Sequence, residues 1–357
     1  MRVNNFERWA RLIFGTVVLV FAGVIYSWSV LKFPFATEFG WDAGVLGLNA
    51  TLSMAFFCIG GFLSGLLTGK TTPRLRLILS AAMLFLGFFI TSRLRLNTSP
   101  VALYLAYGVV AGTGTGFVFN TVISVTNLWF PDKKGLCSGF LLMGFGTTTL
   151  IIGSAADSMM RSEAIGWRTT YLILAIIIGL LFLIMAFVIK PPAPDTVFPE
   201  PKGKKRSAAA TVAERELTAV EMVKRSSFWL LFTFIVTIAA VGTSAISFVT
   251  DILKEVGGSE NFVVAAAGVL AVFNGLGRLF NGVMFDTLGL RKTQYLMSAL
   301  LIAAPVVVVI ALLANSLVIA VFGMMLCFFT YGFAPTTSAA FVPAFYGTKH
   351  FAINFSK

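Results

Sequence analysis

The stretch Asn274–Lys292, NGLGRLFNGVMFDTLGLRK, decides how this chain is read. It ends an apolar run in which Arg278 is the single charge. An arginine at bilayer depth costs at least ~2.5–3.5 kcal/mol on insertion scales, so such a residue is kept where it faces a polar cavity or a partner. Eight residues on, Asp286 opens a charged turn that ends in Arg291 and Lys292. At ~1.5 Å per residue, Arg278 therefore lies ~12 Å inside the helix end. Snorkelling of the long side chain toward the surface is the structural reading of this residue. An anion-binding arginine is the functional reading and the expectation.

Composition agrees with a membrane setting. The chain has 357 residues, of which 57% are hydrophobic and only 12% charged; its mean hydropathy is +0.90. Most of it is therefore not a soluble globular domain. The formal charge of +12 is dispersed between apolar runs instead of gathered on one face. That distribution fits a positive-inside topology and not nucleic-acid binding. Cys58, Cys137 and Cys327 have no CxxC spacing, and His350 is the single histidine, so neither a metal site nor a catalytic or cofactor-binding constellation is expected. The cysteines read as small buried hydrophobes.

Apolar runs of spanning length recur along the chain. The first, at 9–31, follows basic residues and has no small-residue cleavage site, so it reads as a transmembrane helix and not a signal peptide. Others follow at 43–67, 75–92, 100–129, 136–157 and 168–190. Residues 191–227, rich in proline and charge, read as a cytosolic linker with an amphipathic helix from Val212 to Lys224. Further runs at 228–253, 261–285, 293–313 and 317–342 bring the total to ten. Six spans, a linker and four spans imply two equivalent six-helix halves, 1–190 and 228–357, the second stopping at the start of an eleventh helix. A bundle short of two helices would expose a polar seam to lipid, so the sequence reads as truncated.

With the N-terminus inside, nineteen Lys and Arg fall on the cytosolic side against six on the other. That asymmetry sets the expected orientation, although Arg93 and Arg95 run against it.

The turn at Gly282–Lys292 has a counterpart 217 residues earlier, Gly65-Leu-Leu-Thr-Gly-Lys70-Thr-Thr-Pro-Arg74-Leu-Arg76. A repeat at half-protein spacing points to duplicated architecture. Each copy combines a glycine for close helix approach (Gly65, Gly282), a polar helix end, and cations that follow (Lys70 and Arg74; Arg291 and Lys292). Such a turn is read as a latch between helices, and as plain topology-setting basic residues in its structural reading.

The pattern Gly282-x-x-x-Asp286-x-x-Gly289-x-Arg291-Lys292 resembles the characteristic turn of the major facilitator superfamily. More narrowly, Tyr26-Ser-Trp28-Ser-Val, Trp129-Phe-Pro-Asp-Lys-Lys-Gly135 and Asn274-Gly-x-Gly-Arg278 resemble the oxalate/formate antiporter family. The resemblance runs the length of the chain. It implies an all-α polytopic membrane protein with the major facilitator fold, two pseudo-symmetric six-helix bundles with the second incomplete, rocking about a midplane site. It further implies that Arg278 contacts the carboxylate, that a helix 11 lysine beyond Lys357 completes a dicarboxylate site, and that the protein resides in a prokaryotic inner membrane. The sequence departs from the pattern at Gly69, where an aspartate is usual. It departs again on helix 10, where Tyr331 is followed by Pro335, Thr336, Thr337 and Ser338 in place of the aromatics of oxalate carriers.

Tyr26, Trp28 and Tyr331 are candidate cavity walls, with interfacial anchoring as the alternative for the first two. Asn120 and Asn274 are polar groups at depth that serve either a ligand or interhelical hydrogen bonds. Glycines 108, 112, 114 and 116, and 139, 144, 146 and 153, read as close helix packing and not as a nucleotide loop, since no strand precedes them. The expectation is a monomeric secondary transporter of a small organic anion, working by exchange. A proton-coupled monocarboxylate symporter is the alternative within the fold, although Asn274 stands where such carriers have an aspartate. A transporter-like anion sensor is the alternative outside transport.

Overall fold

The computed structural model describes residues 4–193, 195–198 and 216–355. Among them there is no strand, and ten helices are long and apolar enough to cross a membrane. They are α1 (Asn5–Thr37), α2 (Ala43–Leu67), α3 (Pro73–Ser92), α4 (Pro100–Leu128), α5 (Lys134–Arg161), α6 (Gly166–Val188), α7 (Ser226–Glu255), α8 (Glu260–Leu288), α9 (Leu290–Leu313) and α10 (Leu317–Tyr346). The count matches the ten runs read from hydropathy.

Local chemistry sets where the helices start. Asp42, Thr72 and Ser99 each accept a backbone N–H of the first turn of α2, α3 and α4, and Pro73 and Pro100 occupy the first helical position of the latter two. There the missing proline N–H costs nothing. Three spans are irregular inside. α1 tightens over Gly23–Ser27, and α4 and α5 widen by one residue per turn over Tyr104–Ala111 and Thr149–Gly153.

The described residues fall into two compact units, one running to Trp129 and including Gly144–Val197, the other comprising Phe130–Met143 and the described residues from Phe198 to Phe355. In the first, Trp28, Phe35, Phe88, Tyr107, Trp167 and Tyr171 form a continuous aromatic core. Two of its polar tips bond to backbone, the Tyr171 hydroxyl donating to Leu31 O at 2.8 Å and the Trp28 indole to Leu46 O at 3.0 Å, whereas the Trp167 indole N–H is buried without a partner among the described residues. At one end, the Arg11 guanidinium donates to Val188 O at 2.7 Å and stacks on Trp129, whose indole donates to Lys190 O at 2.7 Å. In the second unit, α7, α8, α9 and α10 share a core around Leu253, Leu270, Ala304, Ala320 and Met324.

Two expectations need correction. Cys58 is exposed on α2, while Cys137 and Cys327 are buried. The turn expected to open at Asp286 is shorter: α8 continues through Leu288, Gly289 alone reverses the chain at φ 77°, and α9 begins at Leu290. Asp286 is thus a helical residue, and Arg291 and Lys292 lie in the first turn of α9. A left-handed backbone suits glycine, which has no Cβ to clash. In the first copy the position of Asp286 is Gly69, at φ 88°, so α2 stops at Leu67 and carries no helical counterpart. Of the helix expected over Val212–Lys224, residues 212–215 lie outside the described set. The described part contains Ala219–Val223, started by a capping box between Thr218 and Glu221.

Candidate functional site

Asn274, Arg278 and Asn281 recur at i, i+4 and i+7 on α8 and so share one face. Arg278 is 8% exposed. Its Nε donates to Asn274 Oδ1 at 3.3 Å and its Nη1 to the Leu142 carbonyl of α5 at 2.7 Å. α10 fixes the backbone beneath it: Thr336 donates to Arg278 O at 3.1 Å, and Gly332 lies so close that a Cβ there would stand 2.2 Å from Asn274 O. Asn281, which the sequence reading did not single out, donates to Phe333 O at 3.2 Å and Thr337 Oγ1 at 3.0 Å. Its own Oδ1 is buried without a hydrogen-bond partner among the described residues.

The depth of Arg278 can be read from a second contact between the same helices. The Asp286 carboxylate accepts from Gly135 N at 2.9 Å and from Leu136 N at 2.7 Å. These are first-turn donors of α5, which begins at Lys134. Asp286 therefore acts as an N-cap supplied by another helix, with its charge on the positive end of the α5 dipole. Gly135 and Gly282 permit the approach, since a Cβ on Gly282 would fall 2.1 Å from Gly135 O. Arg278 lies eight residues before Asp286, and Leu142 seven residues after Gly135. Both partners are therefore ~11–12 Å from the latch along their helices. The guanidinium reaches sideways to α5 at its own depth instead of running toward the helix end as snorkelling requires.

The other expected residues are placed as follows. Asn274 is the Arg278 partner just described. Tyr331 is half-buried with its ring against Gly242 of α7. Tyr26 is 41% exposed on the tightened turn of α1, edge-on to Phe145 at 5.2 Å. Phe145 in turn packs on Phe57 and Phe119, which makes a four-ring aromatic wall. Trp28, 6% exposed and hydrogen-bonded to Leu46, belongs to the core and is neither an anchor nor an open wall. Asn120 is buried, and its Oδ1 accepts from Ser124 at 3.4 Å. In the first-copy turn, Gly65 is buried, Lys70 is exposed, and the Arg74 guanidinium stacks on the Phe187 ring at 4.0 Å. Arg76 closes that turn by donating to Ser64 O at 3.1 Å and Thr68 Oγ1 at 2.6 Å.

Ten helices long and apolar enough to cross a membrane, among the described residues, define an integral multi-pass membrane protein. The chain belongs to the major facilitator superfamily, whose model matches residues 13–356. Among characterised relatives it is 27% identical over 289 residues to the oxalate:formate antiporter of Oxalobacter formigenes, covering 81% of this chain and 66% of that protein. It is also 27% identical over 296 residues to the uncharacterised MFS-type transporter YhjX of Escherichia coli, covering 80% and 68%. The chain thus spans about two-thirds of the length of these relatives. In fold it is similar to the E. coli fucose:proton symporter FucP, with a TM-score of 0.61 at 14% identity over 98% of this chain and 89% of that one. The proton:xylose symporter XylE gives 0.57 at 18% identity over 98% and 85%.

Proposed function

We propose that this transporter moves a small carboxylate, oxalate- or formate-like, by alternating access and anion exchange, as a monomer in a prokaryotic inner membrane with its N-terminus cytosolic. The observation that carries this reading is Arg278, a buried guanidinium deep in an apolar helix whose hydrogen bonds include the neutral acceptors Asn274 and Leu142. A carboxylate is the stronger acceptor: ionic hydrogen bonds are roughly twice as strong as neutral ones, and the planar fork takes both oxygens at once. The likeness to the Oxalobacter antiporter supports the same substrate class.

Binding is then linked to movement. A carboxylate that captures the fork withdraws Nη1 from Leu142 and so removes one fastener from the α5–α8 seam. Asp286 on the α5 N-terminus and the close backbone contacts at Gly135, Gly139 and Gly282 remain across the seam. Substrate thereby lowers the cost of parting the two helices without touching Asp286. Exchange is favoured over proton symport because acidic residues of the spans, such as Asp157, Asp251 and Asp286, lie within a turn or so of their helix ends. A titratable group at depth is what proton coupling ordinarily uses.

The test is uptake of labelled oxalate and formate into proteoliposomes that carry an internal pH dye. Uptake should require anion inside and proceed without stoichiometric pH change once passive weak-acid leak is subtracted. Proton movement locked to flux would promote the monocarboxylate-symporter reading instead, and binding without flux would make the protein a sensor.

A further inference from the structure

An open trough of about 350 Å³ runs along the seam of α3 and α6. Its walls are Ile78, Ala82 and Phe85 from α3 and Ile176, Gly179 and Leu183 from α6, all apolar. Both helices are long and apolar enough to cross a membrane, which sets the trough at hydrocarbon depth. The walls run from Ile78 to Phe85 on α3, a rise of ~10 Å, which is about a third of the hydrocarbon thickness. Ala82 leaves the hollow on α3, while Gly179 lets α6 close on Phe85, whose Cβ lies 3.3 Å from where a methyl would stand.

One end of the trough is chemically marked. Arg74 precedes Ile78 by four residues and Phe187 follows Leu183 by four, so each continues the wall stripe of its helix by one turn. The two meet, with the guanidinium 4.0 Å from the ring centroid. Arg74 is exposed, and no acidic side chain among the described residues forms an ion pair with it. It is also the second residue of α3, at the positive end of that helix dipole. An apolar trough of acyl-chain calibre that ends at an exposed cation matches an amphiphile with an anionic head.

We propose that the α3–α6 seam is a binding site for one anionic phospholipid, with an acyl chain in the trough and its phosphate on Arg74. The ring of Phe187 holds the guanidinium at the mouth without neutralising it. On the topology expected from the charge count, this is the cytosolic leaflet.

The experiment is native mass spectrometry of the full chain with dioleoyl phosphatidylglycerol and, separately, dioleoyl phosphatidylcholine. A basic residue near a membrane surface contributes ~1 kcal/mol toward anionic lipid, so the wild type should retain phosphatidylglycerol roughly fivefold better. Arg74→Gln should bring the two lipids to parity, Arg74→Lys should keep the preference, and Ala82→Trp, which fills the trough at an exposed position, should cut retention of both. An unchanged preference in Arg74→Gln, or unchanged retention in Ala82→Trp, overturns the site. A lipid-free dimer broken by Ala82→Trp would assign the trough to a second copy and overturn it equally.

Discussion

Arg278 and Leu142 are joined by a 2.7 Å hydrogen bond from guanidinium to backbone carbonyl, so the arginine buried in α8 also fastens α8 to α5. On the proposed reading, a carboxylate and this helix contact compete for one side chain, and that competition links a substrate held at depth to a seam that Asp286 closes ~12 Å away.

Asp286→Asn should loosen that seam without changing the substrate site. The amide keeps one acceptor, turns its NH2 toward the second N–H donor, and loses the charge that suits the α5 dipole. The loss is about 1–3 kcal/mol, or roughly 5- to 150-fold in the balance of closed and open states. Cys137, buried two residues beyond Gly135, is a native reporter in a Cys58→Ser background. Its labelling should accelerate. Unchanged labelling and unchanged transport would reduce the turn to a topology signal carried by Arg291 and Lys292.

Gly282→Ala tests the approach itself. A methyl 2.1 Å from Gly135 O forces the helices apart, at about 1–3 kcal/mol for overpacking. Transport should fall while the protein still inserts. Gly135→Ala should do the same, and the double variant should cost less than the sum because both report on one contact. Full additivity would place the two glycines in separate roles.

Much of this was legible from residue order. Spans and their number follow from hydropathy, because only a helix satisfies its own backbone in lipid. The helix starts follow from Asp42, Thr72-Pro73 and Ser99-Pro100. Arg278 was legible because a charge in an apolar run has few uses, and Asn281 could have been found from its i+3 register with Arg278. Other parts were not legible. The partners of Asp286 and Arg278 are backbone groups of another helix, which no side-chain motif announces. Asp286 read as a turn because charge and glycine cluster there, yet one left-handed glycine suffices to reverse the chain. Trp28 read as a cavity wall or an interfacial anchor, whereas here Phe35 and Tyr107 enclose it.

Trp28→Phe separates core from site. The indole donates to Leu46 O and touches no group assigned to substrate. Its removal should cost about 1 kcal/mol of stability for the lost hydrogen bond, seen as a lower melting midpoint in detergent, with substrate affinity unchanged. A change in affinity at constant melting temperature would return Trp28 to the binding site.

The most direct measurement is equilibrium binding of labelled oxalate and formate to purified wild type, Arg278→Lys and Arg278→Gln, with helix content checked by circular dichroism. Arg278→Gln should retain helix content and lose binding by at least about 100-fold, the scale of an ionic pair in a low-dielectric site. Arg278→Lys should bind at an intermediate level, since it keeps the charge but not the planar fork. Wild-type affinity in a folded Arg278→Gln protein would contradict the account.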